Sequence, residues 1–157
     1  MSRNKAATTF AHREIKRDGR FIAYYDETVL DTKTGLMWSA KDNGSDIDAV
    51  QAESYCNNYQ GGGYTDWRMP KQNELAWLYD KSKTYKTDCG LFGSNVHLTE
   101  LIRLTCDNIW ASEIIKRGAF EQENSKVATV DFSNGVRGWN PWPLRHNFRV
   151  LPVRSGK

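Results

Sequence analysis

The sequence predicts an α+β fold built around a mostly antiparallel sheet. Apolar residues alternate with period two over residues 20–38 and again from residue 108, and two stretches between them carry helical spacing. The chain is also rich in rings and sparse in Ile, Leu and Val: six Trp, seven Tyr and six Phe make it 12% aromatic. At 157 residues it has the size of one domain, enough to bury roughly 70% of the surface its unfolded form exposes. Large, partly polar rings are then expected to supply the core, which favours a loop-rich architecture.

Residues 1–19 read as a mobile N-terminal extension that includes His12, and residues 20–157 as a single domain. RFIAYYDETVLDTKTGLMW, residues 20–38, breaks at Asp26-Glu27 and at Lys33-Thr34-Gly35, predicting two or three short strands joined by tight turns. Ser45 and Asp48 resemble a capping box. Ala49, Ala52, Tyr55, Cys56 and Tyr59 then recur on one face, predicting a helix of about four turns that stops at Gly61-Gly62-Gly63. Cys56 sits on that apolar face and reads as a small buried hydrophobe, not a nucleophile.

GYTDWRMP, residues 63–70, follows, and Pro70 is placed to open a second helix striped by Leu75, Leu78 and Tyr79. Residues 81–108 show only a short helical pattern at Thr99–Leu104. From Asn108, NIWASEIIK, SKVATVDFSNGVRGW and FRVLPVR read as strands, with Ser133-Asn134-Gly135 a turn between the middle pair.

Charge is uneven. Residues 1–20 carry six Lys/Arg against two acids and residues 131–157 five against one, so both ends are basic and the middle is acidic. An anionic partner would suit the two ends if they meet; two solvated basic ends are the plainer reading. No apolar run is long enough to span a membrane, so no membrane insertion is expected, and the first thirty residues lack the apolar centre of a secretory signal. Cys56, Cys89 and Cys106 lack CxxC spacing, which argues against zinc and a thioredoxin-like motif; Cys89 and Cys106, both in loop-like sequence, are the candidate disulfide. No cofactor is indicated.

The series TVLDTKTGLMW (28–38), Tyr55-Cys56, GYTDWRMP (63–70), NEL (73–75), IWASE (109–113), VATVDFSNG (127–135) and VLPVR (150–154) resembles the C-terminal domain of the Legionella collagen-like adhesin. The resemblance covers about residues 20–155. It implies a C-type-lectin-like fold, related to that of the formylglycine-generating enzyme, with a twisted antiparallel sheet, two helices and long binding loops. It also implies a bacterial module that is secreted, periplasmic or at the cell surface, in a family whose founding adhesin binds sulfated glycosaminoglycans. No signal peptide or collagen-like repeat precedes the domain in this sequence.

Catalysis finds little footing. Formylglycine-generating enzymes hold copper with two thiols near the chain end, whereas the last cysteine here is Cys106. Asp131 or Glu113 with His146 could be paired on paper, as in any chain with nineteen acids and three His; His97 lies in the stretch hardest to read. The Glu-Pro-Asn, Gln-Pro-Asp and Trp-Asn-Asp triplets of calcium-dependent lectins are absent. Asp42, Asn43, Asp46 and Asp48 lack EF-hand spacing and read as caps, so no metal is assigned.

The stretch most like a site is NGVRGWNPWPLRHNFR, residues 134–149. It predicts an ordered loop carrying Arg137, Trp139, Asn140, Trp142, Arg145, His146 and Asn147. Indoles stack on sugar rings, and guanidinium groups grip sulfate or carboxylate, so the expected function is non-enzymatic recognition of a glycan or other surface ligand. The alternative uses the same loop to dock other protein subunits, or fills the core with its tryptophans. Nucleic acid ranks below a glycan, since the pI near 8.7 is modest and no binding motif appears. Trp38, Asp66, Trp67, Arg68 and Trp110 are assigned structural roles, with 63–70 as a clasp between the helices.

Overall fold

The structure, a computed structural model, describes residues 12–116 and 125–156. Its first sheet contains β1 (Glu14–Asp18), β2 (Phe21–Tyr24), β3 (Thr28–Asp31), β4 (Leu36–Ser39) and, from the far end of the chain, β11 (Val153–Ser155). These lie in the order β1-β2-β3-β4-β11, antiparallel throughout. Glu27 and Gly35 take positive φ in the two tight turns predicted at those sites. The second sheet has the order β10-β7-β8-β9, from β7 (Asn108–Ile115), β8 (Lys126–Asp131), β9 (Arg137–Pro141) and β10 (Phe148–Arg149). Its β10–β7 pair is parallel and the others are antiparallel. A small hairpin, β5 (Tyr85–Thr87) with β6 (Ser94–Val96), stands apart. Together with the helices α1 (Ala49–Asn58) and α2 (Gln72–Leu78), these elements make an α+β fold of mostly antiparallel sheet.

Two apolar clusters hold the layers together. In one, α2 packs Leu75 and Leu78 against Ile109, Ala128, Val130 and Phe132, with Trp38 and Val153 from the first sheet. In the other, α1 packs Ala52 and Cys56 against Trp110, Phe148 and Val150. Trp38, Trp110 and Phe132 are fully buried as the ring-rich composition predicts, yet Leu, Ile and Val supply most of the remaining large buried side chains. Scarce aliphatics are thus concentrated inside rather than replaced by rings.

Several local expectations change. The cap of α1 is Asp48, whose carboxylate accepts from Gln51 N at 2.8 Å while the Gln51 side chain answers Asp48 N; Ser45 is not part of it. The helix has ten residues, short of four turns. Pro70 precedes α2 instead of opening it, and Glu74 supplies the box by accepting from Lys71 N at 2.8 Å. Thr99–Leu104 is an irregular turn held by Tyr85, whose hydroxyl donates to Ile102 O and accepts from Leu104 N. Residues 14–18 are an edge strand within the stretch read as an extension. Four of the five are exposed, so no apolar alternation marks them. His12 lies beside this strand's sheet, 3.9 Å from Asp26, and residues 1–11 fall outside the described residues.

Candidate ligand-binding site

The segment between the helices ties the chain to its own end. Trp67 is buried and donates from Nε1 to Gly61 O at 3.0 Å, with the Tyr59 ring edge-on at 5.1 Å. Arg68 pairs backbone to backbone with Val153, N to O at 2.9 Å and O to N at 3.0 Å. Its guanidinium forks onto Glu74 through two 2.8 Å hydrogen bonds. Burial alone would raise the Glu74 carboxyl, but Arg68 and the Lys71 amide outweigh it and hold the group below its usual range. Asp66 receives Arg154 at 2.6 and 3.1 Å and is lowered by those hydrogen bonds, while the Arg154 guanidinium lies 3.8 Å over the Tyr64 ring. Trp110 donates to Ile47 O at 2.8 Å and stacks on Phe148; Trp38 is wholly enclosed. Cys89 and Cys106 are disulfide-bonded, and Cys56 is a buried thiol that burial pushes up to about 12.

Residues 137–147 do not form one loop. Arg137 to Pro141 is β9, the edge strand of the second sheet, and only the following residues turn. Pairing with β8 sorts its side chains. Arg137 lies opposite Val130 and Trp139 opposite Ala128, both in the cluster beneath α2, so these two side chains share the α2 face. Arg137 reaches across to Asn73 Oδ1 on α2. Asn140 points to the other face, donating to Thr129 Oγ1 at 2.8 Å. Trp142, just past the strand, packs half-buried against the α1 cluster, which includes Val127, the residue opposite Asn140.

Arg145, His146 and Asn147 gather instead around Asp46. The Asp46 carboxylate accepts from Asn147 N at 3.0 Å and from Arg149 Nη1 at 2.6 Å, with His146 Nδ1 at 3.5 Å; Arg145 reaches the Asp46 carbonyl at 3.4 Å. The Asn147 amide and then Arg149 keep this carboxyl below its ordinary range. Of the seven predicted residues, Arg137 and Trp139 therefore lie beside α2, Asn140 and Trp142 lie elsewhere on Thr129 and the α1 cluster, and Arg145, His146 and Asn147 form a turn anchored on an acid of the middle region. The basic end and the acidic middle do meet, in that ion-pair cluster.

Asp42, Asn43, Asp46 and Asp48 also disperse into separate ties. Asp42 holds Thr105 and Gly44, Asn43 accepts from Val150 N, and Asp48 caps α1. Burial raises Asp42 in spite of those hydrogen bonds. Asp131 secures the Ser133 turn, and Glu113 accepts from Gln72 N at the start of α2, so neither is joined to His146. A pocket of about 200 Å³ lies between α1, β7 and Trp142, lined by Ala49, Val50, Met69, Ile114 and Val127, with Glu53 also in its lining.

One further exposed aromatic on this side of the molecule escapes the sequence reading. Trp77 lies in the last turn of α2 and is 51% exposed. It falls off the Leu75–Leu78–Tyr79 stripe, and an indole on the polar side of an amphipathic helix was the signal available for it. Asn73 and Trp77 are four residues apart, hence neighbours on the outer face of α2, which places the Arg137–Trp139 pair and Trp77 along one surface.

The family described as the Lcl C-terminal domain matches residues 27–154. No curated protein and no solved structure matches the chain significantly.

Proposed function

The chain belongs to the Lcl C-terminal domain family, an adhesin-associated domain, and from that membership we propose that it is a non-enzymatic recognition module for an anionic glycan. The observation that supports this most is the side-by-side exposure of Arg137 and Trp139 on the edge strand β9. An indole 40% open to solvent offers a face for a sugar ring, and a guanidinium on the same side offers paired hydrogen bonds to sulfate or carboxylate. In this reading the three sheets and two helices are a C-type-lectin-like fold, and the module works outside the cytoplasm. The Cys89–Cys106 disulfide supports that location, since such bonds persist in oxidising compartments.

The test is retention on immobilised heparin at low salt. The double variant Arg137→Ala, Trp139→Ala should elute at lower salt than the parent with unchanged far-UV circular dichroism. Equal retention of the two sinks the reading. A protein-docking role has its own support at the tip of the β5–β6 hairpin, where Leu91 and Phe92 are 89% and 82% exposed. Saturable binding to a protein ligand, lost on Phe92→Ser and indifferent to the β9 variant, would favour it.

A further inference from the structure

We propose that the cleft between α1 and β7 binds a small apolar α-amino acid, with its side chain enclosed beside Trp142, its ammonium on Glu53 and its carboxylate toward Lys71. The cleft lies on the α1 face of the second sheet, with Val127 in its lining, whereas Arg137 and Trp139 lie on the α2 face. It is therefore a second site, and it does not depend on the glycan reading.

A bulge makes the room. Between Trp110 and Ile114, strand β7 spends residues 111–113 where β8 spends only Ala128, before pairing resumes at Ile114 with Val127. Ser112 is turned out of the ladder, and its amide donates to Pro70 O at 2.9 Å. Bulges of this kind re-aim side chains beside sites. Here Ala49, Ala111 and Ser112 present short side chains to the cleft, while Val50, Ile114 and Trp142 wall it. Its volume of about 200 Å³ decides the size of the occupant. An apolar cavity of about 150 Å³ already takes a benzene ring, whereas drug-sized ligands need about 300–1,000 Å³. One ring or one branched alkyl group fits.

Charge at the rim sets the rest of the ligand. Val50, Glu53 and Asn57 share one side of α1 by their spacing of three and four. Glu53 borders the apolar cleft and also its continuation toward Asn57, Arg68 and Lys71; the two share Met69, Ser112 and Ile114. The Glu53 carboxylate is exposed and meets no cation among the described residues. Lys116, also in the lining, is already engaged, and Arg68 is taken by Glu74. Lys71 lends Glu74 a favourable field, but its ammonium is in no ion pair among the described residues. The charges left for a ligand are therefore one anion beside the apolar pocket and one cation in its continuation. An apolar α-amino acid carries the complementary set: a side chain to bury, and an ammonium and a carboxylate together on the next carbon.

The experiment is an amide NMR titration of the intact chain at pH 7 with phenylalanine, phenethylamine, hydrocinnamate and glycine. Phenylalanine should shift the cross-peaks of Ala49, Val50, Ala111 and Val127. It should bind about fivefold tighter than phenethylamine or hydrocinnamate, each of which lacks one charge; that is the upper range of an exposed ion pair. Glycine, the same zwitterion without a side chain, should shift none of these peaks. Glu53→Gln should weaken phenylalanine and phenethylamine about fivefold and leave hydrocinnamate unchanged. Lys71→Gln should instead weaken phenylalanine and hydrocinnamate and leave phenethylamine unchanged. Val50→Ala with Ile114→Thr, at walls 56% and 49% exposed, should weaken all three ring ligands about tenfold. Glu53 and Lys71 are exposed, so their variants keep the fold, and circular dichroism verifies this for every variant. Lining amides that do not respond to phenylalanine overturn the inference. Equal affinity for phenylalanine and its two analogues, or charge variants that bind all three as the parent does, overturn it as well, because the ring alone would then carry binding. A glycine response matching that of phenylalanine also sinks it, because the apolar pocket would then have no part.

Discussion

Replacing Trp67 by Ala should cost the fold about 4 kcal/mol. The ring is buried, and an aromatic of this size removes about 200 Å² from water, worth about 5 kcal/mol at 25 cal/mol per Å². Measured Trp or Phe to Ala losses of about 3–5 kcal/mol bracket that figure. The hydrogen bond to Gly61 O contributes about 1 kcal/mol of the total. Trp67→Phe keeps most of the ring and forfeits mainly this bond, so it should cost about 1–2 kcal/mol. With a urea slope of about 2 kcal/mol per M, the midpoint should fall by about 2 M for Ala and by less than 1 M for Phe. Equilibrium urea unfolding followed by far-UV circular dichroism reads both. Against a total stability of about 5–15 kcal/mol the Ala change leaves little reserve, and Phe, the milder change, carries the comparison where Ala unfolds the domain. An Ala variant with a midpoint within about 0.5 M of the parent would refute the clasp, and one that is fully folded yet does not bind heparin would move Trp67 into the ligand site.

Glu74→Gln should destabilise by about 2 kcal/mol, a value discounted from a fully buried ion pair because Arg68 is 41% exposed; the same urea titration checks it. Acid should weaken the parent too. Glu74, Asp46 and Asp66 are held below their ordinary range, so the stability they contribute is present at neutral pH and lost as pH falls below about 4.5; Asp42 and Asp107, raised by burial, oppose this in part. The urea midpoint should therefore drop between pH 7 and pH 3, by less in Glu74→Gln. Cys56 should resist iodoacetamide at pH 8 until urea unfolds the chain, as mass spectrometry would show, because its thiol is buried and pushed up to about 12. Replacing Cys89 and Cys106 together by Ser opens a loop of 17 residues and should cost about 3 kcal/mol, read as a lower melting temperature.

Where the sequence spoke through period and turn chemistry, it was legible. The meander β2-β3-β4, both helices and the Ser133–Gly135 turn follow from alternation, from helical spacing and from glycines that tolerate positive φ. Elements stabilised by distant partners were not. β5 and β6 have three residues each, too few for a pattern, and exist through their mutual pairing next to the disulfide. Residues 101–104 look helical because Leu101, Ile102 and Leu104 are all apolar, but a tyrosine hydroxyl from β5 occupies the backbone groups a helix would use. In the candidate site, composition singled out Arg137 and Trp139 as candidates, while Gly138, Asn140 and Pro141 disguised their strand as a loop. Pro141 fits there because it ends an edge strand, where a missing amide costs little. Trp77 was hidden by the rule that an apolar residue in an amphipathic helix belongs to the core.

The placement of β11 has a consequence in time. Val153 sits beside Trp38 in the first sheet and against Arg68 at the clasp, so two remote parts of the chain wait for residues 153–155. Bringing such partners together is an entropic expense that local hairpins escape, and contacts this far apart in sequence slow folding. During synthesis β2, β3 and β4 can pair early, but β4 keeps an open edge until nearly the whole chain has emerged. An unfinished sheet with a free edge is a template for wrong partners. Ribosome-bound chains halted before residues 153–155 have emerged should thus be open to protease and prone to cling to one another, and those held by an added C-terminal linker long enough to let these residues emerge should be closed.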